Sequence, residues 1–120
     1  YKHREKPNEI GKMLAIGEVK DRDIVLVDDM VDTAGTLSKA ADLMMSMGAT
    51  SVRAVCTHGV FSGPAYQRIE DSALLEIAVT DTIPKNHSGN KIKEISIAEI
   101  FSSSIKSVLE NKSISEYFIR

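Results

Sequence analysis

Aromatic residues are scarce in this sequence: they make up 5% of the 120 residues, and tryptophan is absent. The core must therefore be built mainly from aliphatic side chains, which suits an α/β domain. The single cysteine, Cys56, cannot form an internal disulfide bond, so a reducing cytoplasm is the expected location. The sequence also lacks an apolar run of the length that a membrane-spanning helix requires.

Neither sign of charge dominates, because 15 Lys and Arg face 17 Asp and Glu for a net charge of −2. This balance argues against nucleic acid or a membrane surface as a partner, since both attract strongly basic proteins. Any anion must therefore be bound locally. The length of 120 residues, of which 42% are hydrophobic, predicts one small domain over residues 1–120.

The most informative stretch of the chain runs from Asp23 to Thr36. Its four successive apolar residues indicate a short strand that is buried on both faces, as inside a parallel sheet. Asp28 and Asp29 follow where this strand should end, and a turn of small residues at 32–36 leads into a helical pattern over 37–47. This helix should end at Gly48, as its left-handed C-cap. This order describes the carboxyl edge of an open α/β sheet, where such folds bind ligands.

The turn offers the groups that bind a phosphate. The free N–H groups of a helix start and the hydroxyls of Thr33 and Thr36 point to one place, and Gly35 allows the backbone to approach an anion closely. The Gly-Lys-Ser/Thr ending of a nucleoside-triphosphate loop is missing, which argues against that class. The predicted phosphate-binding residues are Asp32, Thr33, Ala34, Gly35 and Thr36.

The acidic pair, Asp28 and Asp29, would repel a phosphate but can accept hydrogen bonds from sugar hydroxyls, directly or through hydrated Mg²⁺. A phosphate pocket beside these carboxylates predicts a site for a phosphorylated pentose. Helix capping is the competing explanation for Asp32 or Thr36 alone. Capping does not explain two further carboxylates at the end of a buried strand, where desolvation is costly.

The run Val-Leu-Val-Asp-Asp-Met-Val-Asp-Thr-Ala-Gly-Thr-Leu, residues 25–37, resembles the phosphoribosyl-pyrophosphate-binding motif of ribose-phosphate pyrophosphokinases. The similarity extends over essentially the whole chain but covers only the C-terminal part of those longer enzymes. Since the chain also starts at Tyr1 rather than Met, we expect an excised domain. The resemblance implies a type I phosphoribosyltransferase-like fold, a three-layer α/β/α arrangement with a mainly parallel sheet.

The resemblance also implies an activity for the full enzyme, which moves a diphosphoryl group from ATP to ribose 5-phosphate and forms phosphoribosyl pyrophosphate and AMP. It implies Mg²⁺ as cofactor at Asp28 and Asp29, ATP bound jointly with a missing N-terminal part, phosphate and ADP as effectors, and a homo-oligomer. The isolated chain is expected to be inactive. A phosphoribosyltransferase, or a non-catalytic regulatory subunit of the same family, is the alternative.

Residues 1–20 begin with a charged segment that shows no periodicity, which predicts a mobile loop or hairpin. Most runs of this kind are simply solvated. The resemblance implies instead a catalytic loop, in which Lys2 and Arg4 stabilise charge on the transferring phosphoryl group. His3 lies where the family often has another basic residue.

The rest of the chain alternates between strand and helix patterns. Strands are predicted over 51–57, 74–79 and 91–95, and a short helix over 65–70. A capping box at 96–99 should start a last helix that ends near Glu110. The apolar residues predicted to form the buried face of this helix are Ile97, Ile100, Phe101, Ile105, Val108 and Leu109.

Several side chains outside the main motif allow two interpretations. His58 and the stretch 80–84 follow predicted strands, so they can either line the ligand edge or serve only as structure. Cys56 is expected to be a small buried hydrophobe, because no neighbouring base supports a nucleophile. The resemblance implies that Ser113 and Ser115 form a regulatory phosphate or ADP site between subunits, although a solvent-facing edge explains them equally well.

Overall fold

The structure is a computed structural model that describes residues 17–85 and 87–118. Lys2, His3 and Arg4 therefore lie outside the described residues, as does most of the predicted catalytic loop. Among the described residues, no helix is both long and apolar enough to cross a membrane. The elements in chain order are β1 Asp23–Val31, α1 Gly35–Ser46, β2 Ser51–Gly59, α2 Ala65–Asp71, β3 Ile77–Thr80, β4 Ile92–Ile95, α3 Ala98–Leu109 and a short 3₁₀ helix, Ser115–Tyr117.

The four strands form one sheet in the order β1-β2-β3-β4, and every neighbouring pair is parallel. The register sets Asp28 opposite Cys56 and Ile77 opposite Ile92. The predicted α/β class and parallel sheet are thus confirmed. Since parallel strands all end at the same edge of a sheet, the segments that follow β1, β2 and β3 lie beside one another there.

Helices α1 and α2 cover one face of the sheet and enclose the core. Alternate residues of β2 and β3 point into it, among them Val52, Ile77 and Val79, each at most 1% exposed. From the helical side, Leu37 of α1 and Ile69 of α2 pack against them. Burial of each such aliphatic side chain contributes about 1.5–3 kcal/mol, so this layer is the main source of stability.

Helix α1 ends as predicted, because Gly48 follows it with a φ of 93°, a conformation that residues with a Cβ rarely adopt. Its methionines divide between two environments. Met44 and Met47 pack against the core, whereas Met45 is exposed. Cys56 is buried at 2% exposure, which agrees with its predicted role as a small hydrophobe.

The prediction that β1 is buried on both faces is wrong. Ile24 and Leu26 pack against the core, but Val25 and Val27 on the other face are 56% and 79% exposed. Within the described residues, no element covers that second face, and β1 also forms an edge of the sheet. An uninterrupted apolar run indicates burial, but it does not show whether residues elsewhere in the chain cover both faces of the strand.

The predicted buried face of the last helix is also wrong. Among the residues that the structure describes, α3 packs against no other helix or strand, and it contains no buried residue. Ile105 and Leu109, for example, are 60% and 78% exposed. The predicted third layer is therefore not formed within the described residues. The capping box is absent too, because Ser96 Oγ accepts the N–H of Ala98 rather than that of Glu99.

Candidate functional site

The acidic pair lies inside β1, since this strand continues to Val31 instead of ending before the two aspartates. Both side chains are exposed. Asp28 Oδ1 accepts the N–H of Asp29 at 2.8 Å. Successive side chains of a strand alternate between its faces, so Asp28 shares the face of Cys56 and Asp29 leaves on the opposite one. The two carboxylates therefore flank the carboxyl end of β1.

The turn between β1 and α1 has one unusual backbone conformation, at Ala34, whose φ of 63° and ψ of 10° are left-handed. Gly35, which directly follows it, is not in this region of backbone space. Gly35 instead permits a close contact, because a Cβ added to it would lie 3.1 Å from Nη1 of Arg68. The smallness of Gly35 thus accommodates α2 behind the turn.

A run of backbone donors begins in this turn. Among the described residues, the N–H groups of residues 33–37 contact no acceptor, and the first hydrogen bond of the helix is that of the Ser38 N–H to the Ala34 carbonyl. No side chain caps α1. Capping therefore does not explain Asp32 or Thr36, and five successive N–H groups stay available at the start of α1.

The side chains of the turn divide between solvent and structure. Thr33 and Thr36 are exposed, and neither hydroxyl is hydrogen-bonded to another described residue. The Asp32 carboxylate accepts a hydrogen bond from the Ser62 hydroxyl, in the segment that follows β2. Ser62 also donates its N–H to the Asp32 carbonyl at 3.0 Å. Asp32 is thus held in place by the neighbouring segment.

A cleft of about 490 Å³ opens beside the turn. It lies between the start of α1 and the end of α2, and its walls carry charges of both signs. Arg68 Nη1 donates to the Thr33 carbonyl at 3.2 Å across this cleft. The residues that line it are Thr33, Gly35, Thr36, Ser38, Lys39, Asp42, Arg68, Asp71 and Ser72.

His58 and the stretch 80–84 meet at the same edge of the sheet. His58 Nδ1 is 2.8 Å from Thr82 Oγ1, and Thr80 Oγ1 donates to the carbonyl of Thr57 at 2.5 Å. Hydrogen bonds of this kind join the ends of β2 and β3. Both stretches therefore have a structural role at the carboxyl edge of the sheet.

A second cleft, of about 410 Å³, lies beyond the end of β3. Asp81, one of its lining residues, accepts the N–H of Ile97 at 3.0 Å. This bond, and a second one with the Ser96 side chain, hold the pKa of the Asp81 carboxyl below its usual value of 3.8. Asp81 therefore stays ionised near neutral pH and fixes the start of α3.

The two serines near the C-terminus lie together. Ser113 Oγ donates to Ser115 Oγ at 2.8 Å, and both residues are exposed. The Ser115 N–H also donates to Ser113 Oγ, at 3.1 Å. They belong to a turn that leads into the short 3₁₀ helix rather than to a strand edge.

The described residues contain no group of three or more His, Cys, Asp or Glu side chains placed to hold a metal ion. Asp28 and Asp29 offer hard oxygen donors exposed to solvent. Mg²⁺ typically takes one or two protein carboxylates together with waters and substrate phosphates. Because the two side chains leave on opposite faces of β1, either carboxylate fits as a single oxygen ligand of a hydrated Mg²⁺ whose shell a phosphorylated ligand completes.

Sequence reasoning missed Ser62 and Arg68, which both contact the turn from the segment after β2. One signal pointed in their direction, because the ends of consecutive parallel strands lie side by side. Polar residues shortly after β2 should therefore be considered together with those after β1. Nothing local in the sequence marks an arginine of a short helix as a neighbour of Thr33.

The sequence is similar to known proteins over nearly its whole length. The sequence model of the phosphoribosyl synthetase-associated domain matches residues 2–120. The ribose-phosphate pyrophosphokinase of Porphyromonas gingivalis is 48% identical over 118 residues, and the match covers 98% of this chain and 38% of that protein. The enzyme of the same name from Wolinella succinogenes is 49% identical, with the same coverage of both chains.

A solved structure is similar as well. The crystal structure of phosphoribosylpyrophosphate synthetase from Mycobacterium smegmatis matches with a TM-score of 0.77 at 38% identity, over 80% of this chain and 33% of that one. The chain thus spans well under half the length of the proteins that it matches. Because the family match extends over residues 2–120, the chain belongs to the phosphoribosyl synthetase-associated domain family.

Proposed function

We propose that this chain is the C-terminal, ribose 5-phosphate-binding part of an enzyme that transfers diphosphate from ATP to ribose 5-phosphate, with phosphoribosyl pyrophosphate and AMP as products. The observation that carries the proposal is the run of five backbone N–H groups, residues 33–37, that contact no acceptor among the described residues. Its position at the carboxyl edge of a parallel sheet adds support.

The 5-phosphate is assigned to the turn at residues 32–36. Several N–H groups and the exposed hydroxyls of Thr33 and Thr36 supply donors, and the dipole of α1 favours an anion by about 0.3–1 kcal/mol. Asp32 belongs to this set by its place in the turn, since its carboxylate and its carbonyl both accept hydrogen bonds from Ser62. The phosphate then acts as the anchor that positions the sugar.

The sugar hydroxyls are assigned to Asp28 and Asp29, which lie within a few residues of the turn. Ionised carboxylates accept hydrogen bonds and can share a ligand with a hydrated cation. Mg²⁺, when bound, would reduce the repulsion between these acids and the phosphates of the substrates. The two aspartates would hold the ribose hydroxyls and so orient the ring, whose anomeric hydroxyl accepts the diphosphoryl group.

The stabilisation of negative charge on the transferring phosphoryl group is assigned to Lys2 and Arg4, which lie outside the described residues. Cationic donors directed at developing charge contribute about 10²–10³ in rate at comparable sites. ATP would be bound jointly with protein that this chain does not contain. We therefore expect the 120-residue chain to bind the pentose phosphate weakly and to release no AMP.

The experiment is a titration of the 120-residue chain with ribose 5-phosphate, with and without Mg²⁺, followed by amide NMR shifts. The expected result is a saturable shift at residues 33–37 that free ribose does not produce. The absence of any shift at this turn would refute the proposal. Detectable AMP formation by the same chain would refute its expected inactivity but not the binding site.

A regulatory role is a second candidate for one part of the chain. Ser113 and Ser115 present two hydroxyls within 2.8 Å of one another on an exposed turn, which suits a phosphate or the phosphates of ADP. Replacement of both serines by alanine should abolish inhibition by ADP in the full-length enzyme and leave its uninhibited rate unchanged. Retained inhibition would exclude them as effector ligands.

A further inference from the structure

The backbone of the anion-binding turn is fixed from one side, by the segment that follows β2. The carbonyl of Val31 accepts the N–H groups of Val60 and Phe61, at 2.9 and 3.3 Å. The next carbonyl, that of Asp32, accepts the N–H of Ser62 at 3.0 Å. The third carbonyl, that of Thr33, accepts Nη1 of Arg68 at 3.2 Å. The carbonyls of three successive residues thus accept hydrogen bonds from residues 60–68, which follow β2.

This arrangement sets the direction of the donors. A peptide unit is planar and trans, so its C=O and the N–H of the following residue point in opposite directions. When the carbonyls of Asp32 and Thr33 are held towards the segment after β2, the N–H groups of Thr33 and Ala34 must point away from it. These are the first two of the five N–H groups without an acceptor among the described residues.

Arg68 differs from the other partners of these carbonyls because it acts through its side chain. It lies on α2, and its side chain reaches across to the turn. The contact is close, because a Cβ at position 35 would lie 3.1 Å from Nη1, tighter than an ordinary van der Waals contact. The bonded peptide also precedes Ala34, whose left-handed φ of 63° costs energy for a residue with a Cβ.

We propose that Arg68 is a positioning residue of the phosphate site. It donates to the Thr33 carbonyl, holds the peptide between Thr33 and Ala34 in the orientation that presents the Ala34 N–H, and thereby keeps the turn ready for a phosphate. Its guanidinium lines the cleft beside the turn, and in this role it acts on the phosphate site through the Thr33 carbonyl. This inference rests on the proposed phosphate site and names a residue outside it.

The experiment compares R68M with a matched control, K39M, in the 120-residue chain. Both variants remove one positive charge from an exposed residue that lines the same cleft, but Lys39 makes no bond to the Thr33 carbonyl. Ribose 5-phosphate affinity is measured by amide NMR, together with the melting temperature. A third variant, R68K, keeps the charge and can still donate one hydrogen bond to a carbonyl.

The expected result is an affinity about tenfold lower in R68M and nearly unchanged in K39M, with partial recovery in R68K. The amide resonance of Ala34 should shift in ligand-free R68M, while the melting temperature stays close to that of the parent chain. Should R68M fail to fold, R68A takes its place, because alanine is a good helix former and its side chain has no hydrogen-bond donor.

Two results would overturn the inference. Equal losses of affinity in R68M and K39M would show that only the local charge matters, and an unchanged affinity in R68M would show that the turn needs no support from α2. Both leave the proposed function intact, because the parent chain still binds ribose 5-phosphate. A parent chain that does not bind this ligand would overturn the inference and the proposed function together.

Discussion

Cys56 lies opposite Asp28 in the parallel pairing of β1 with β2, and the pKa of its thiol is raised to about 11 by burial and, second, by the negative charge of Asp28. The core of the domain and its acidic pair are thus directly adjacent. The thiol stays protonated far above neutral pH, which excludes it as a nucleophile and makes it a reporter of the charge next to it.

The first prediction concerns stability at high pH. In the unfolded chain the Cys56 thiol titrates near its ordinary pKa of 9.0, whereas in the folded chain it titrates near 11. A raised pKa in the folded state stabilises the fold below about pH 9, and this contribution is lost as the pH rises towards 11. The free energy of unfolding, measured in urea over this pH range, should decline in the parent chain and decline less in C56A.

The same comparison includes D28N, which removes the second cause of the raised pKa and should bring the decline closer to that of C56A. The difference between variants, rather than the decline in the parent chain alone, is the quantity to measure. An identical decline in the parent chain and in C56A would show that the thiol makes no contribution.

The second prediction separates a ligand site from a structural one. D28N and D29N should each weaken ribose 5-phosphate binding by about tenfold, because a charged acceptor for a hydroxyl is lost. Both carboxylates are exposed, so the free energy of unfolding should change by no more than about 0.5 kcal/mol. Amide NMR titrations and thermal melts measure the two quantities.

A suitable control for the acidic pair is E70Q, which neutralises an exposed carboxylate on α2 that neither lies at the end of β1 nor lines the cleft beside the turn. Its affinity for ribose 5-phosphate should match that of the parent chain. If D28N and D29N lower the melting temperature and leave binding intact, the pair is structural. Unequal losses of ribose 5-phosphate affinity in D28N and D29N would show which face of β1 the sugar occupies.

Much of the fold was predictable because its signals are local. The apolar spacing in α1, the glycine after it and the small residues of the turn act within a few residues of one another, so one sequence suffices to read them. The acidic pair was found for the same reason. The boundaries were less accurate: β1 extends to Val31, past both aspartates, and α1 begins at Gly35 rather than at Leu37.

The errors about burial and about site residues share a different cause, since both depend on residues that are distant in the sequence. Val27 and Ile105 have the composition of core positions, yet nothing among the described residues covers them. Ser62 and Arg68 were missed because their contacts with the turn cross 30 and 35 residues of sequence. Periodicity carries no information about either kind of relationship.

The third prediction concerns the link between β3 and α3. The Ile97 N–H and the Ser96 side chain hold the pKa of Asp81 below 3.8, so the bond to Ile97 is stable above that pH and is lost as the pH falls further below it. In D81A, the amides at the start of α3 should exchange faster with solvent, while those of β2 keep their protection. Hydrogen exchange followed by NMR measures both.

The control for this link is E99Q, which changes an exposed acid in the first turn of α3 that makes no hydrogen bond to the end of β3. Its exchange rates should stay close to those of the parent chain. Faster amide exchange in E99Q, with exchange in D81A unchanged from the parent chain, would mean that the charge of Glu99 rather than the link to Asp81 holds the start of α3.

The fourth prediction compares two isoleucines that the apolar pattern treats alike. Ile69 of α2 is 1% exposed and Ile105 of α3 is 60% exposed. Truncation of Ile69 to alanine leaves a cavity in close-packed surroundings, and I69A should lower the free energy of unfolding by about 2–5 kcal/mol. Truncation of an exposed side chain leaves none, so I105A should change it by no more than about 0.5 kcal/mol.

Urea unfolding of both variants decides the matter, with the slope of the transition checked for two-state behaviour. A cost for I105A comparable to that for I69A would mean that α3 packs against the domain in solution. That result would contradict the 60% exposure of Ile105.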